Sequence, residues 1–393
     1  MTGEWKSCWR EKVLKVAIIH DWLVTKAGAE LVLEQLLVCF PNADVFTLVD
    51  FLPESERGFL QNHKVTTSFI QRLPGAHAHF RYYLPLMARA LSSFDLGGYD
   101  LVISSSWAFA RRVRLKPGQC HVSYIHTPIR YVWDQQERYL QEGLSNSLAR
   151  LVARVVLAHL RRSDVADKAL GGRLIANSSF IKARIEHCWQ QPSVVLNPPV
   201  PQDDLGFGDE KDDFYICVSR LVPYKGVELL VEAFNRMPER KLVLVGAGPL
   251  EARIRSVAGE NIEVLGFLDR PSLVGYLRRA RAFVFAGLED FGIAMVEAQA
   301  CGTPVIAYGQ GGIRDSVIPF DGGAGNGANP AATGLWFEEQ SAESIMDAVK
   351  QFESLHPEIS SLACRDNARR FDPSIFRQEF MQIVEDAYGS RIA

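Results

Sequence analysis

Short runs of apolar and β-branched residues recur along the first half of the chain: KVAIIH (15–20), DVFTLV (44–49), VTTSFI (65–70), DLVISSS (100–106), HVSYIHT (121–127) and RLIANSS (173–179). Between them lie stretches such as AELVLEQLLVCF (29–40), where apolar residues return at spacings of three and four, as one face of a helix requires. Apolar strands alternating with helices predict a parallel sheet covered on both faces. The pattern breaks at 198–213, where three prolines, two glycines and six acids predict a linker. It restarts with FYICVSRL (214–221), KLVLVGAG (241–248), NIEVLGFL (261–268), RAFVFAG (281–287) and PVIAYG (304–309), each followed by a helical pattern or a glycine-rich turn. The expectation is an α/β protein with two βα domains, 14–197 and 214–372, facing each other across a cleft. In such open sheets ligands sit beyond the carboxyl ends of the strands. An Asp–Pro helix start predicts a C-terminal helix over 373–393 that could pack on either domain, including by crossing back to the first. GGAGNGA (322–328) reads as a surface loop.

At 393 residues the chain exceeds one ordinary core, which agrees with two domains. Its net charge of −3 argues against a general nucleic-acid binder. The average conceals an asymmetry: residues 61–130 carry nine Arg or Lys against two acids, and residues 321–393 carry six against twelve. A basic first half points to anionic partners, phosphates or a membrane surface, with a merely solvated face as the plainer alternative. The seven cysteines are scattered with no C-x-x-C pair, the usage of a reducing cytoplasm, so a zinc site is not expected. The charged start MTGEWKSCWREKVLK lacks the apolar core of a signal peptide, and residues 1–13 read as an extension outside the fold. No run of about 18 apolar residues occurs to span a bilayer.

The chemistry concentrates in GLEDFGIAMVEAQACGTP (287–304). Glu289 falls in the turn beyond a predicted strand, and Glu297 in the second turn of a helix running from about Gly292 to Ala300. Carboxylates in apolar surroundings are costly unless they bind something. Vicinal hydroxyls suit them, and the free amides of the helix start between them suit an anion. A ligand carrying both sugar and phosphate satisfies the whole arrangement; the plainer alternative is one buried, paired glutamate and one solvated. In SRLVPYKG (219–226), Arg220 and Lys225 follow a strand and could clamp a pyrophosphate, Arg through two bonds and Lys as a point charge. In DWLVTKAGAE (21–30), Gly28 opens a helix whose amides could meet phosphate, with a plain loop as the alternative. YIHTPIRYVWD (124–134) sets His126 at a strand end, on the edge of the inferred cleft. The turn VGAGPLEARI (245–254) lacks the third glycine of a dinucleotide fingerprint. No G-x-x-x-x-G-K-[ST] loop and no D-x-D occur, so the cations alone are expected to hold a diphosphate, with no metal and no cofactor.

In this order, SRLVPYKG, LVLVGAGPL, VLGFL and EDFGIAMVEAQACGTPVIAYGQGG resemble the retaining GT-B glycosyltransferases of family 4, over the chain from Val13 onward. The resemblance implies two Rossmann-like domains, the first for the acceptor and the second for a nucleotide-sugar donor. It implies that Arg220 and Lys225 neutralise the donor pyrophosphate. Glu289 holds hydroxyls of the donor sugar beside the amides of Phe291, Gly292 and Ile293. Glu297 binds the ribose, Gly266 and Phe267 contact the base through their backbone, and His126 lies near the transferred sugar. One departure stands out: the loop after strand one, glycine-paired in many relatives, reads Lys26-Ala27-Gly28-Ala29-Glu30, leaving Ala29 to donate an amide. YIHTPIRYVWD with EDFGI resembles most the mannosyltransferases of bacterial O-antigen and exopolysaccharide assembly, which use GDP-mannose. A UDP-sugar transferase, a sugar-nucleotide epimerase of the same fold and a non-catalytic scaffold are the rival expectations. SLARLVARVVLAHLRR (147–162) resembles a helix lying at an anionic membrane surface, a core helix with a basic rim being the alternative. On the first reading the acceptor is a polyprenyl-diphosphate-linked saccharide and the enzyme is cytoplasmic, peripheral on the inner face of the membrane.

Overall fold

A computed structural model describes residues 14–60, 63–133, 147–166, 172–320, 329, 331–355 and 359–392. The expectations for 1–13 and 322–328 lie outside these. The chain divides into two compact units: Met1–Asn177, Ile181–Pro198 and Phe376–Ala393 form the first, Ser178–Phe180 and Pro199–Ile375 the second.

The first unit is built on seven strands: β1 (Val16–His20), β2 (Asp44–Thr47), β3 (Val65–Thr67), β4 (Leu101–Ser106), β5 (Cys120–Ile125), β6 (Arg173–Ala176) and β7 (Val194–Val195). Their order is β3-β2-β1-β4-β5-β6-β7, and every pairing is parallel. Because successive side chains point to opposite faces, β1 sends Ile18 to one core and Ala17 and Ile19 to the other. Helices α1 (Gly28–Cys39), α2 (Leu84–Ser92), α3 (Ser147–Ala166) and α4 (Ser179–Trp189) belong to this half of the chain. Val32, Leu33, Leu36 and Leu37 form the buried stripe of α1. Near the end of α3, Asp164 accepts from Arg111 (2.8 Å), Trp133 Nε1 (2.9 Å) and Trp189 Nε1 (2.8 Å), and Leu160 is buried.

The second unit carries β8 (Phe214–Val218), β9 (Lys241–Val245), β10 (Ile262–Gly266), β11 (Ala282–Phe285), β12 (Val305–Tyr308) and β13 (Gly334–Phe337) in the order β10-β9-β8-β11-β12-β13, again all parallel. Its helices of seven residues or more are α5 (Val227–Asn235), α6 (Glu251–Val257), α7 (Arg270–Arg279), α8 (Ile293–Ala300), α9 (Ala342–Leu355) and α10 (Ser361–Ala368). The last helix, α11 (Pro373–Ile392), sends Phe376, Phe380 and Val384 into the first unit's core with Leu36 and Tyr124.

Three local departures have physical causes. The strand expected over 65–70 stops at Thr67, because Ser68 Oγ accepts from Ile70 N (3.2 Å) and starts a 3-10 turn. The edge strands β7 and β13 were not read from the sequence; β7 is only two residues long, too short for any periodicity to register. Of residues 198–213, expected as linker, 199–213 are built into the second unit. Val200 and Leu205 are buried there, Val200 N bonds Phe371 O (2.8 Å) and Gly208 N bonds Cys301 O (3.2 Å).

Lys211 is part of that packing. Its Nζ donates to Arg278 O and Thr303 Oγ1, both at 2.9 Å, and burial pulls its pKa from 10.5 down to about 8. Between those values the unfolded chain holds a proton that the folded chain has shed, so this group's contribution to stability rises as pH rises through the window. Thermal melts of Lys211→Met from pH 8 to 10.5 should lose that part of the native slope.

Candidate active site

In each sheet the strand order reverses once, and the carboxyl ends flanking the reversal leave a crevice. In the second unit that point lies between β8 and β11. The loop after β8 carries Arg220 to Gly226, and the loop after β11 carries Glu289. Gly226 has φ +69°, and a Cβ there would sit 2.9 Å from the Ala286 carbonyl. Only a glycine lets the two loops approach so closely. The approach brings Lys225 Nζ into an ion pair with Glu289 Oε1, the side chains being 15% and 19% exposed. Arg220 is exposed and donates through Nη2 to the Tyr224 hydroxyl. Its guanidinium and Lys225 Nζ lie 5.9 and 5.4 Å from the same Tyr224 ring.

Helix α8 starts at Ile293 after Gly292, whose φ of +97° suits glycine alone. Among the described residues the amides of Phe291, Gly292 and Ile293 have no hydrogen-bond partner. The Phe291 ring is buried against Phe371 at 5.2 Å, so only its backbone can serve a ligand. Glu297 lies on the second turn and is not open: Arg270 Nη1 donates to its Oε1 at 2.6 Å. The same guanidinium donates from Nε to Asp204 Oδ2 at 2.7 Å and from Nη2 to Oδ1 at 3.2 Å. Burial pushes the Glu297 carboxyl up, against the pull of Arg270, while the Arg270 bond holds Asp204 below the usual range. Both glutamates therefore meet cations, an arrangement the sequence reading did not include. Neither Arg270 nor Asp204 was singled out, since Asp204 sits in the supposed linker. The Asp269 N-cap that opens α7 beside Arg270 was the available signal. Gly266, at φ +72°, accepts from Gly246 N (2.7 Å), and Phe267 beside it is 84% exposed.

The first unit reverses its order between β1 and β4, where His20 is in register with Ser105. Ala27 caps α1, and its N–H donates to Glu30 Oε2 at 2.8 Å. The amides of Gly28 and Ala29 have no partner among the described residues. His126, half-buried, meets Ser105 Oγ through Nε2 at 2.9 Å. Burial, reinforced by His20, lowers its pKa to about 3, so the ring is neutral. Asp21, also unread in the sequence, is fully buried and accepts from the amides of Trp107, Ala108, Phe109 and Ala110 at 2.6–2.8 Å. That bracket holds Trp107, whose ring packs edge-on against His20 (4.8 Å) and His126 (5.6 Å). Among the described residues no group of three or more His, Cys, Asp or Glu is placed to hold a metal ion.

Two α/β domains with wholly parallel sheets of seven and six strands make this a GT-B fold. The chain superposes on sucrose-phosphate synthase from Thermosynechococcus elongatus with a TM-score of 0.68 at 18% identity, covering 96% of this chain and 100% of that one. Residues 206–371, nearly all of the second unit, match the family model described as "Glycosyl transferases group 1". A GDP-mannose-dependent monoacylated alpha-(1-6)-phosphatidylinositol monomannoside mannosyltransferase of Corynebacterium glutamicum is 34% identical over 148 residues, 32% of this chain and 39% of that protein. A D-inositol 3-phosphate glycosyltransferase of Jonesia denitrificans is 35% identical over 264 residues, 60% of this chain and 62% of that protein. The chain thus spans less than two thirds of the length of these relatives.

Proposed function

We propose that this protein is a retaining glycosyltransferase that moves mannose from GDP-mannose to a lipid-linked saccharide acceptor in cell-surface polysaccharide synthesis. The observation that carries the reading is the Lys225–Glu289 pair at the order reversal of the second sheet, beside unpartnered amides at the start of α8. A cation, a carboxylate and backbone donors in one crevice are what a sugar joined to a diphosphate needs. The similarity to the GDP-mannose-dependent mannosyltransferase of Corynebacterium glutamicum supports the choice of donor.

In this reading Lys225 and Arg220 face the pyrophosphate, Glu289 the sugar hydroxyls, and Phe291, Gly292 and Ile293 donate amides. Glu297 takes the ribose, Gly266 and Phe267 line the base, and Gly28 and Ala29 offer amides from α1. His126 meets the transferred sugar. Charge accumulates on the leaving phosphate as the glycosidic bond loosens, and cations fixed beside it stabilise that transition state. The leaving phosphate itself takes the proton of the attacking hydroxyl. For an acceptor at a membrane, the supporting observation is α3, where Leu151 and Val155 are 59% and 64% exposed beside the exposed Arg154. Among the described residues no helix is long and apolar enough to cross a membrane, and the proposed attachment is peripheral, on the inner face.

Thermal shift with GDP-mannose, UDP-glucose and UDP-N-acetylglucosamine, followed by mass spectrometry on lipid-linked oligosaccharide, tests the reading. Stabilisation by a UDP-sugar alone would remove the mannose assignment, and an epimerised nucleotide sugar formed without acceptor would remove the transferase. Arg270→Ala should cost about 1 kcal/mol, since the pair is partly exposed, and raise the KM for GDP-mannose by loosening Glu297. A KM that falls instead would mean that Arg270 competes with the ribose.

A further inference from the structure

Four side chains of the first unit form a continuous chain of hydrogen bonds. Glu30 Oε1 meets His20 Nε2 at 3.3 Å, His20 Nδ1 meets Ser105 Oγ at 3.1 Å, and Ser105 Oγ meets His126 Nε2 at 2.9 Å. His20, Ser105 and Glu30 are buried, so water does not compete for these bonds. The second ring nitrogen of His126, Nδ1, has no partner among the described residues.

The directions of these bonds are not independent. An ionised carboxylate only accepts, so a single ring proton on His20 must sit on Nε2, facing Glu30. His20 Nδ1 is then an acceptor and takes the Ser105 hydroxyl proton. The oxygen of Ser105, its one proton spent, accepts from His126 Nε2–H. His126 is left with a bare lone pair on Nδ1.

We propose that Glu30, His20 and Ser105 are positioning residues that lock His126 in its Nε2–H tautomer, so that Nδ1 accepts a hydrogen bond from a hydroxyl of the transferred hexose. This rests on the reading of His126 as the residue that meets that sugar. Because His126 stays neutral down to about pH 3, its tautomer alone decides whether Nδ1 offers a lone pair or an N–H. The other end of the relay is equally fixed. Glu30 Oε2 is held by the Ala27 N–H, which aims Oε1 at His20 and ties the relay to the start of α1.

Glu30→Gln inverts the chain with little change in shape. The new side chain's oxygen keeps the bond from Ala27 N–H, which turns its amide N–H toward His20 Nε2. That forces the His20 proton to Nδ1, turns the Ser105 hydroxyl toward His126 Nε2, and moves the His126 proton to Nδ1. Imidazole nitrogen-15 spectra of the full chain at mildly alkaline pH read the tautomer directly, with His126→Gln assigning the signal. The native protein should show His126 Nδ1 unprotonated, and Glu30→Gln should show it protonated. The same variant should lose about tenfold in kcat/KM for GDP-mannose, the worth of one hydrogen bond to substrate. Affinity for GDP alone, which lacks the hexose, should not change. Ser105→Ala, which breaks the relay without reversing it, should give His126 a mixture of tautomers. A native His126 protonated on Nδ1, or a tautomer that ignores Glu30→Gln and Ser105→Ala, would overturn the relay. A reversed tautomer with unchanged kcat/KM would overturn its part in the reaction. Absence of turnover by the native protein would count against the donor assignment, and the spectra would still decide the relay.

Discussion

Lys225→Ala should lower turnover of GDP-mannose about a hundredfold or more, the ~3 kcal/mol that one preorganised charge typically gives a transition state. The lysine is fixed before substrate arrives: a helical turn at Pro223–Lys225, the left-handed Gly226 and the Glu289 carboxylate set its position. Its amine therefore needs no reorganisation as the leaving phosphate gains charge. Both side chains keep some exposure, so water can reach Glu289 once the amine is gone, and the fold should survive. Initial rates at saturating donor, with a circular dichroism melt of the same sample, separate the two effects. An unchanged rate would contradict the role given to Lys225. Glu289→Gln should fall in the same direction, because a neutral amide holds neither the amine nor the sugar hydroxyls as strongly.

The largest effect on stability is expected at Asp21, far in the chain from the residues it serves. Its carboxylate accepts four consecutive backbone N–H groups, Trp107 to Ala110, in a buried site. Asp21→Ala strands those donors. Each unsatisfied buried donor costs about 1–3 kcal/mol, so a total of about 3 kcal/mol or more is expected even after local relaxation. For a unit of this size that corresponds to a fall in Tm of roughly 6–12 °C. Loss of the bracket also frees Trp107, so the packing against His20 and His126 should loosen and activity should fall further than stability alone explains. Calorimetry on native and variant chains checks the first expectation, and a Tm within 2 °C of native would contradict it.

What the sequence made legible follows from range. The strands announced themselves because a parallel sheet covered on both faces needs continuous apolar runs, and these are local. Gly292, Glu289 and Glu297 were readable for the same reason: one strand, one turn and one helix start place them within a few residues. Lys225 was readable from its own loop, but its pairing with Glu289 and the other long-range partners were not. Arg270 and Asp204 are 66 positions apart, His20 and Ser105 are 85 apart, and Asp21 is 86 to 89 from the amides it holds. Each pairing depends on which elements the fold brings side by side, information absent from local periodicity. Residues 199–213 misled for a related reason. Proline and acid content resembles a spacer, yet an extended segment with an apolar residue every few positions can be laid along a domain and buried.

The return of α11 to the first unit has a consequence for synthesis. A ribosome delivers residues in order, and domains that are contiguous in the chain fold as they emerge. Here the earlier body lacks Phe376, Phe380 and Val384 until α11 has been made and is free to pack. The later body, spanning Pro199–Ile375 with Ser178–Phe180, has all its residues sooner. The order in which the two bodies receive their full complement of residues is thus opposite to the order in which they begin, and the first half keeps part of its apolar surface uncovered until α11 is available.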